Sequence, residues 1–518
     1  MQLKNNTDEF KYLYEPLKER LRKNSITNIL FFIVTLPILF IITPIILKSV
    51  GKEVYGIWAL TGTILVFVEL IGGLQSSSAL GVVIPKYDPK NQSREINETI
   101  NTLFVFYFFT AILLCLIYFF TENFIIKTFF KVSETKLDIV RFVLSVSFYL
   151  FMINFVLTGY AHLLASFNII YVHNILHIII GYIRLGLMAY FLFTGYGIKS
   201  VVIIQMTTTI IETLIIILIM KKMFPLLILN PFLFSMDKLK TLLSLSARIF
   251  FTRAAGLINY NFDKLILGWL INPVMVAYYQ IAASITKYIS TIPDMLGMHS
   301  LLPAAAELQA KNKNEKIYIL YNKASKYILF TGIFLMSGII VFGKEFINLW
   351  LGSGYEQAYL IMIFLAAGYT YNLLAYAPTF ILNGMGKINE PMLISIITAL
   401  LNIVLSTLLA LKFGLYGTLI GTVISMFAGA TALFLIFYKI TGFMLAFKDI
   451  FLKPLIASII SFLSIYFINN NLKVENSLIL FFGKVLLFTI IFIIFIFAVK
   501  YFDKDDFEII KGNFLKKV

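Results

Sequence analysis

The sequence predicts an all-α polytopic membrane protein of about fourteen transmembrane helices: two parallel six-helix lobes followed by two further helices. Three observations carry that prediction. The 518-residue chain is 59% hydrophobic and 14% charged, with a mean hydropathy of +0.88, well beyond the soluble globular range. Apolar runs of ~20 residues, the length needed to cross a bilayer, recur along its whole length. The first twelve runs also show a repeat.

In chain order the expected spans are 26–47, 54–80, 98–120, 138–164, 174–194 and 198–220, forming a first lobe over 26–220. A cytoplasmic linker, 221–242, leads to 243–270, 275–302, 320–342, 357–382, 391–411 and 414–438, a second lobe over 243–440. Spans 452–469 and 477–499 complete 441–500, and 501–518 is a cytoplasmic tail. Residues 1–25 mix apolar and basic side chains and read as an amphipathic segment lying on anionic lipid headgroups. No cleavable leader is expected, and the first span would act as a signal-anchor.

Placing the N-terminus inside puts most of the 43 Lys and Arg residues in cytoplasmic loops and tails, so both termini are expected in the cytoplasm. The net charge of +16 therefore reflects topology rather than nucleic-acid binding. The same orientation places Trp58, Trp269 and Trp350 at the outer interface, where amphipathic rings prefer to sit. The single cysteine, Cys115, lies mid-span and excludes an intramolecular disulfide.

The repeat appears in three places. Val54-Tyr55-Gly56 matches Val276-Ala277-Tyr278, Phe124 matches Phe346, and the turn at Gly195 matches that at Gly414, all at an offset of about 220 residues. Each copy holds an even number of spans, so the two lobes point the same way, and a transported species would bind between them.

Charges inside apolar spans cost at least about 2.5–3.5 kcal/mol each and mark pathways or partners. Arg253, Gly256, Tyr260 and Lys264 share a helical face, and Gln280, Ser284, Lys287, Thr291 and Asp294 form a second stripe. Arg184 shares a face with His173, His177 and Gly181. Arg184, Arg253, Lys287, Arg248 and Lys264 are the candidates for contacting an anionic head group. Glu69, Glu212, Asp263 and Asp294 are candidates for ion coupling or for pairing with those cations. Asn154, Asn372, Tyr376 and Asn402 lie on polar stripes suited to sugar hydroxyls, a role that helix–helix hydrogen bonding explains equally well. His173 and His177 are spaced i,i+4, but no third ligand or HExxH context accompanies them in the sequence. No metal and no cofactor is therefore expected. Asp503-Lys504-Asp505-Asp506 reads as a solvated tail.

Six stretches, LKSVGKEVYGIWAL (47–60), FDKLILGW (262–269), VAYYQIA (276–282), GKEFINLWLG (343–352), LNGMGK (382–387) and FGLYGT (413–418), resemble the Wzx-type polysaccharide flippases of the MATE/MOP exporter superfamily. The resemblance runs from Leu47 to about Ser425. It implies a membrane transporter, not an enzyme, that flips an undecaprenyl diphosphate-linked oligosaccharide to the outer leaflet of a bacterial cytoplasmic membrane. Lipopolysaccharide O-antigen, capsule and exopolysaccharide are the products such proteins serve. It further implies alternating access driven by H+ or Na+, and polysaccharide polymerase and chain-length proteins as partners. The residues leave rivals open. A MATE-type drug or organic-cation exporter would use the same architecture with uncompensated acids in its cavity. A glycan polymerase or ligase would carry a large external loop.

Overall fold

A computed structural model describes residues 16–471, 478–503 and 506. Residues 1–15 of the expected amphipathic segment, most of the tail after 503, and the Arg248 side chain lie outside the described residues.

The described residues form helices α1 (Leu17–Gly73), α2 (Ser76–Val83), α3 (Ser93–Phe129), α4 (Leu137–Ser166), α5 (Ile170–Phe193), α6 (Gly197–Met223), α7 (Met236–Leu270) and α8 (Pro273–Ser290). They continue with α9 (Ile292–Met295), α10 (Leu301–Ala310), α11 (Asn314–Leu351), α12 (Glu356–Asn372), α13 (Tyr376–Gly384), α14 (Asn389–Thr441), α15 (Lys453–Asn471) and α16 (Leu478–Ala498). No strand occurs among the described residues. Ten helices are long and apolar enough to cross a membrane, and the bent pair Met236–Ala247 and Ile249–Leu270, hinged by 48°, makes an eleventh. The protein is thus an all-α polytopic membrane protein.

Two of those helices are too long to be single spans. At about 1.5 Å per residue, α1 would measure about 85 Å against a hydrocarbon core of ~30 Å. It breaks at Gly51, whose φ of 78° and ψ of 170° lie where only glycine is comfortable. The part before the break runs parallel to α5, with Asn28 beside Asn174 and Val34 beside Tyr182. The part after it packs on α6, with Trp58 Nε1 donating to Gln205 Oε1 at 2.9 Å.

Helix α14 folds back at Gly414 (φ 57°, ψ −130°). A Cβ on Gly417 would fall 2.0 Å from Leu409 O, one on Gly421 2.5 Å from Ser406 N, and one on Gly429 2.1 Å from Thr398 Oγ1. Those pairings are antiparallel about Gly414, so 389–413 and 415–441 form a helical hairpin closed by small residues. Lipid tails are as apolar as leucine, and close backbone approach is what holds such pairs together.

Two expected spans are interrupted. In the run 275–302, α8 ends at Ser290 and only the short α9 follows before the chain turns, because Pro293 lacks an N–H and Gly297 takes φ 67°. The expected span 54–80 is broken likewise, Leu74 and Gln75 both adopting left-handed φ (46° and 56°). Gln75 and Gly297 stand at the repeat offset of about 222 residues, so both copies interrupt the same helix.

The chain divides into two compact units, Met1–Leu257 with Lys264–Ala277, and Ile258–Asp263 with Tyr278–Val518. The change of unit therefore falls within α7 and α8 rather than in 221–242. That linker is fastened to the first unit by asparagines of α3: Asn97 Nδ2 donates to Leu226 O and Asn101 Nδ2 to Ile228 O, while their amide oxygens accept from Ile228 N and Asn230 N. In the second unit, α16 packs antiparallel on α11 through Phe330, Phe334, Phe342 and Phe346 against Phe492, Phe488 and Phe481. The two last spans thus belong to that unit's core.

Candidate functional site

Each unit buries a carboxylate among its membrane helices. In the first, α4, α5 and α6 enclose a cavity of about 390 Å³ lined by Asn154, His162, His173, His177 and Glu212, among others. Helical spacing brings His173, His177 and Arg184 of α5 to the face that meets α6. Glu212 is 5% exposed. Its Oε1 lies 2.8 Å from His177 Nδ1 and 3.9 Å from His173 Nε2, and its Oε2 lies 3.6 Å from Arg184 Nη2. Arg184 Nε donates to Thr208 Oγ1 at 2.7 Å and Nη2 to Thr209 Oγ1 at 3.2 Å. An ionised carboxylate at this depth is tolerable only with such partners, because removal from water costs several kcal/mol per ion. Asn154 Oδ1 accepts from Thr213 Oγ1 on the same cavity wall.

In the second unit, Asp263 is 1% exposed. Tyr279 OH donates to its Oδ2 at 2.6 Å, and Thr422 Oγ1 lies 2.8 and 2.7 Å from its two oxygens. Ser406 Oγ joins Thr422 Oγ1 (3.1 Å), Thr418 O (3.2 Å) and Asn402 Oδ1 (3.1 Å). Asn402 Nδ2 is buried without a hydrogen-bond partner. The hairpin in α14 makes the cluster: Gly421, lacking a Cβ, lets the two arms approach so that Ser406 meets Thr422, which in turn meets the carboxylate.

The other expected residues are dispersed. Arg253 is exposed whereas Lys264 is buried at 8%, although periodicity put them on nearly one face. Lys287 is exposed, its Nζ 5.4 Å from the centre of the Tyr288 ring. Glu69 is exposed. Asp294 is exposed and pairs with His299 at 3.0 Å. Asn372 Nδ2 donates to Tyr260 OH at 3.3 Å, and Tyr376 OH to Ser290 O at 3.1 Å, so both amide and phenol serve helix packing as well as any ligand.

Two expectations need correction. The argument against a metal rested on the lack of a third ligand beside His173 and His177, but Glu212, on the neighbouring helix, brings an oxygen within 4.8 Å of both imidazoles. The acidic tail is not a solvated run throughout: Asp506 is fully buried, accepting from Lys323 Nζ (2.6 Å), Lys326 Nζ (2.5 Å) and Tyr327 OH (2.6 Å). Burial alone would raise its pKa; the hydrogen bonds from Lys323, Lys326, Tyr327 and the Asp503 backbone outweigh that and hold the carboxyl well below the ordinary range.

Residues 21–309 match the family described as polysaccharide biosynthesis protein. The chain is 24% identical over 451 residues to the uncharacterized membrane protein EpsK of Bacillus subtilis, covering 84% of this chain and 85% of that protein. It is 24% identical over 166 residues to a "probable low-salt glycan biosynthesis flippase", Agl15 of Haloferax volcanii, covering 32% of this chain and 34% of that one. Among solved structures, the fold is similar to the lipid II flippase MurJ in an inward closed conformation (TM-score 0.67, 20% identity, 90% of this chain and 98% of that one). It is also similar to an inward-facing multidrug resistance MATE transporter of the MOP superfamily (TM-score 0.61, 15% identity, 79% and 98%).

Proposed function

The chain belongs to the polysaccharide biosynthesis protein family, and from that premise we propose that it flips polyprenyl-diphosphate-linked oligosaccharide repeat units between membrane leaflets by alternating access. The family match carries the reading, and the likeness to a relative named as a glycan flippase and to the MurJ fold supports it. The two lobes rock about a central pathway in a bacterial cytoplasmic membrane, with both termini cytoplasmic and no chemical step. Arg253 and Lys287, exposed on apolar helices, meet the anionic diphosphate, with Arg184, Arg248 and Lys264 as further cations on the path. The carrier lipid is undecaprenyl diphosphate, and the exported glycan passes to a polymerase and chain-length proteins.

Asp263 is the coupling carboxylate. Tyr279 and Thr422 place hydroxyls on its oxygens, and Ser406, Thr418 and Asn402 extend that network behind Thr422, oxygen groups of the kind that suit a hard cation such as Na+. A cation exporter would keep an uncompensated acid in its cavity, whereas Glu212 already faces Arg184 and two histidines.

In a strain lacking this protein, undecaprenyl-linked repeat units should accumulate inside the cell. Complementation with Arg253→Ala or Lys287→Ala should leave surface polysaccharide near background although the variant reaches the membrane. No accumulation in the deletion strain would overturn the flippase reading. Full surface polysaccharide from both variants would overturn the basic pathway.

A further inference from the structure

We propose that His173, His177 and Glu212 form a binding site for a borderline divalent metal ion of the Zn2+ class in the first unit. This inference does not depend on what the protein transports.

The geometry starts from α5. Two histidines spaced i,i+4 lie one above the other on a helix, and here their rings are stacked, 5.8 Å between centroids and 19° between planes. Glu212 on α6 supplies the third donor, and His173, His177 and Glu212 each place one ligand atom within 4.8 Å of the others. A tetrahedral zinc with bonds of about 2.0–2.2 Å holds its donors roughly 3.3–3.6 Å apart. The observed separations from Glu212 Oε1, 2.8 Å to His177 Nδ1 and 3.9 Å to His173 Nε2, bracket that range. Binding therefore requires only that the His177–Glu212 hydrogen bond give up its proton and that the half-exposed His173 turn slightly inward.

The surroundings fit the same reading. Glu212 divides its oxygens: Oε1 faces the histidines while Oε2 faces Arg184, itself held by Thr208 and Thr209. Partners of that kind fix a ligand carboxylate in place. Arg184 also repels a cation, so affinity will be lower than in a site without it. The cavity of about 390 Å³ in front of the three donors has room for a water as fourth ligand and gives the ion a route in. Two imidazoles and one carboxylate select Zn2+, Co2+, Ni2+ or Cu2+ over Mg2+ and Ca2+, which want oxygen ligands.

The test uses the purified full chain without a polyhistidine tag, in detergent. Co2+ titration should give ligand-field absorption in the visible that saturates at one equivalent, and Zn2+ should displace it whereas excess Mg2+ should not. His173→Ala should weaken binding by at least about tenfold, since loss of a mere supporting partner already costs 10–100-fold. His173→Ala combined with His177→Ala should abolish it. Zn2+ should raise the thermal unfolding temperature of the wild type but not of His173→Ala, which keeps the His177–Glu212 contact and the fold. Affinity should fall with acid as the imidazoles protonate. Failure of the wild type to bind a stoichiometric ion, or undiminished binding in the double variant, would overturn the proposal.

Discussion

A carboxylate buried among the membrane helices of each unit meets a different set of partners. Glu212 in the first is ringed by nitrogen: an arginine and two histidines converge on its two oxygens. Asp263 in the second accepts from the Tyr279 phenol and the Thr422 hydroxyl, behind which Ser406, Thr418 and Asn402 continue the hydrogen-bond network. The units share their interrupted helices, so architecture alone does not dictate the ionic chemistry each holds. What differs is the neighbour: α5 carries basic residues at helical spacing, whereas the α14 hairpin brings the Thr422 hydroxyl to Asp263, backed by Ser406, Thr418 and Asn402. On the two proposals above, the first centre would hold a metal and the second a small hard ion.

The largest expected effect comes from removing that balance. Glu212→Ala leaves the half-buried Arg184 guanidinium without its counter-charge and should destabilise the first unit by about 3 kcal/mol. Adding Arg184→Leu should restore much of the loss, because the stranded charge goes with it. Thermal melts in detergent measure both, and equal melting of the single and double variants would break the comparison at its nitrogen side.

A smaller effect is expected at the oxygen side. Thr422→Val removes a hydroxyl shared by Asp263 and Ser406, at a cost of about 1–3 kcal/mol for the buried groups left short of a partner. If Asp263 binds Na+, stabilisation of the wild type by added Na+ should vanish in this variant while Zn2+ stabilisation persists. Sodium-insensitive melting of the wild type would remove the oxygen centre's role in coupling.

The smallest concerns Asp506, which belongs to neither centre. Its depressed pKa means the clamp to Lys323 and Lys326 contributes stability above the unfolded aspartate pKa of about 3.9 and loses it as pH falls below that value. Protease cleavage after residue 498 should therefore rise on acidification, and Asp506→Asn should raise it at neutral pH. Glu212 and Asp263 variants should leave that cleavage unchanged.

Much of the fold was legible. Runs such as 170–193 and 197–223 are helices where hydropathy placed spans, and the Gly195–Gly197 turn between them takes positive φ at both glycines. Arg184, His173 and His177 were legible as one face because 3.6-residue periodicity is local. The partner of that face was not, since Glu212 lies on another helix and only packing brings its oxygens to the imidazoles. The interruption at Thr291–Gly297 was missed because the surrounding hydropathy stays high while a proline and a left-handed glycine end the helix. Asp506 was read as solvated because a charged tail usually is, and three donors on α11 reversed that.

The sequence by itself determined the solvent this chain lives in, the approximate limits of its apolar runs, and which residue types are improbable in lipid. These are properties of composition and of periodicities shorter than a helix. Only the tertiary structure decided which improbable residues are balanced. A charge is neutralised by what lies within about 4 Å of it, and in a helical bundle those neighbours come from helices tens or hundreds of residues apart. That is why Glu212 and Asp263, both acids in apolar spans, meet such different partners: two histidines and an arginine at one, a phenol and a hydroxyl at the other.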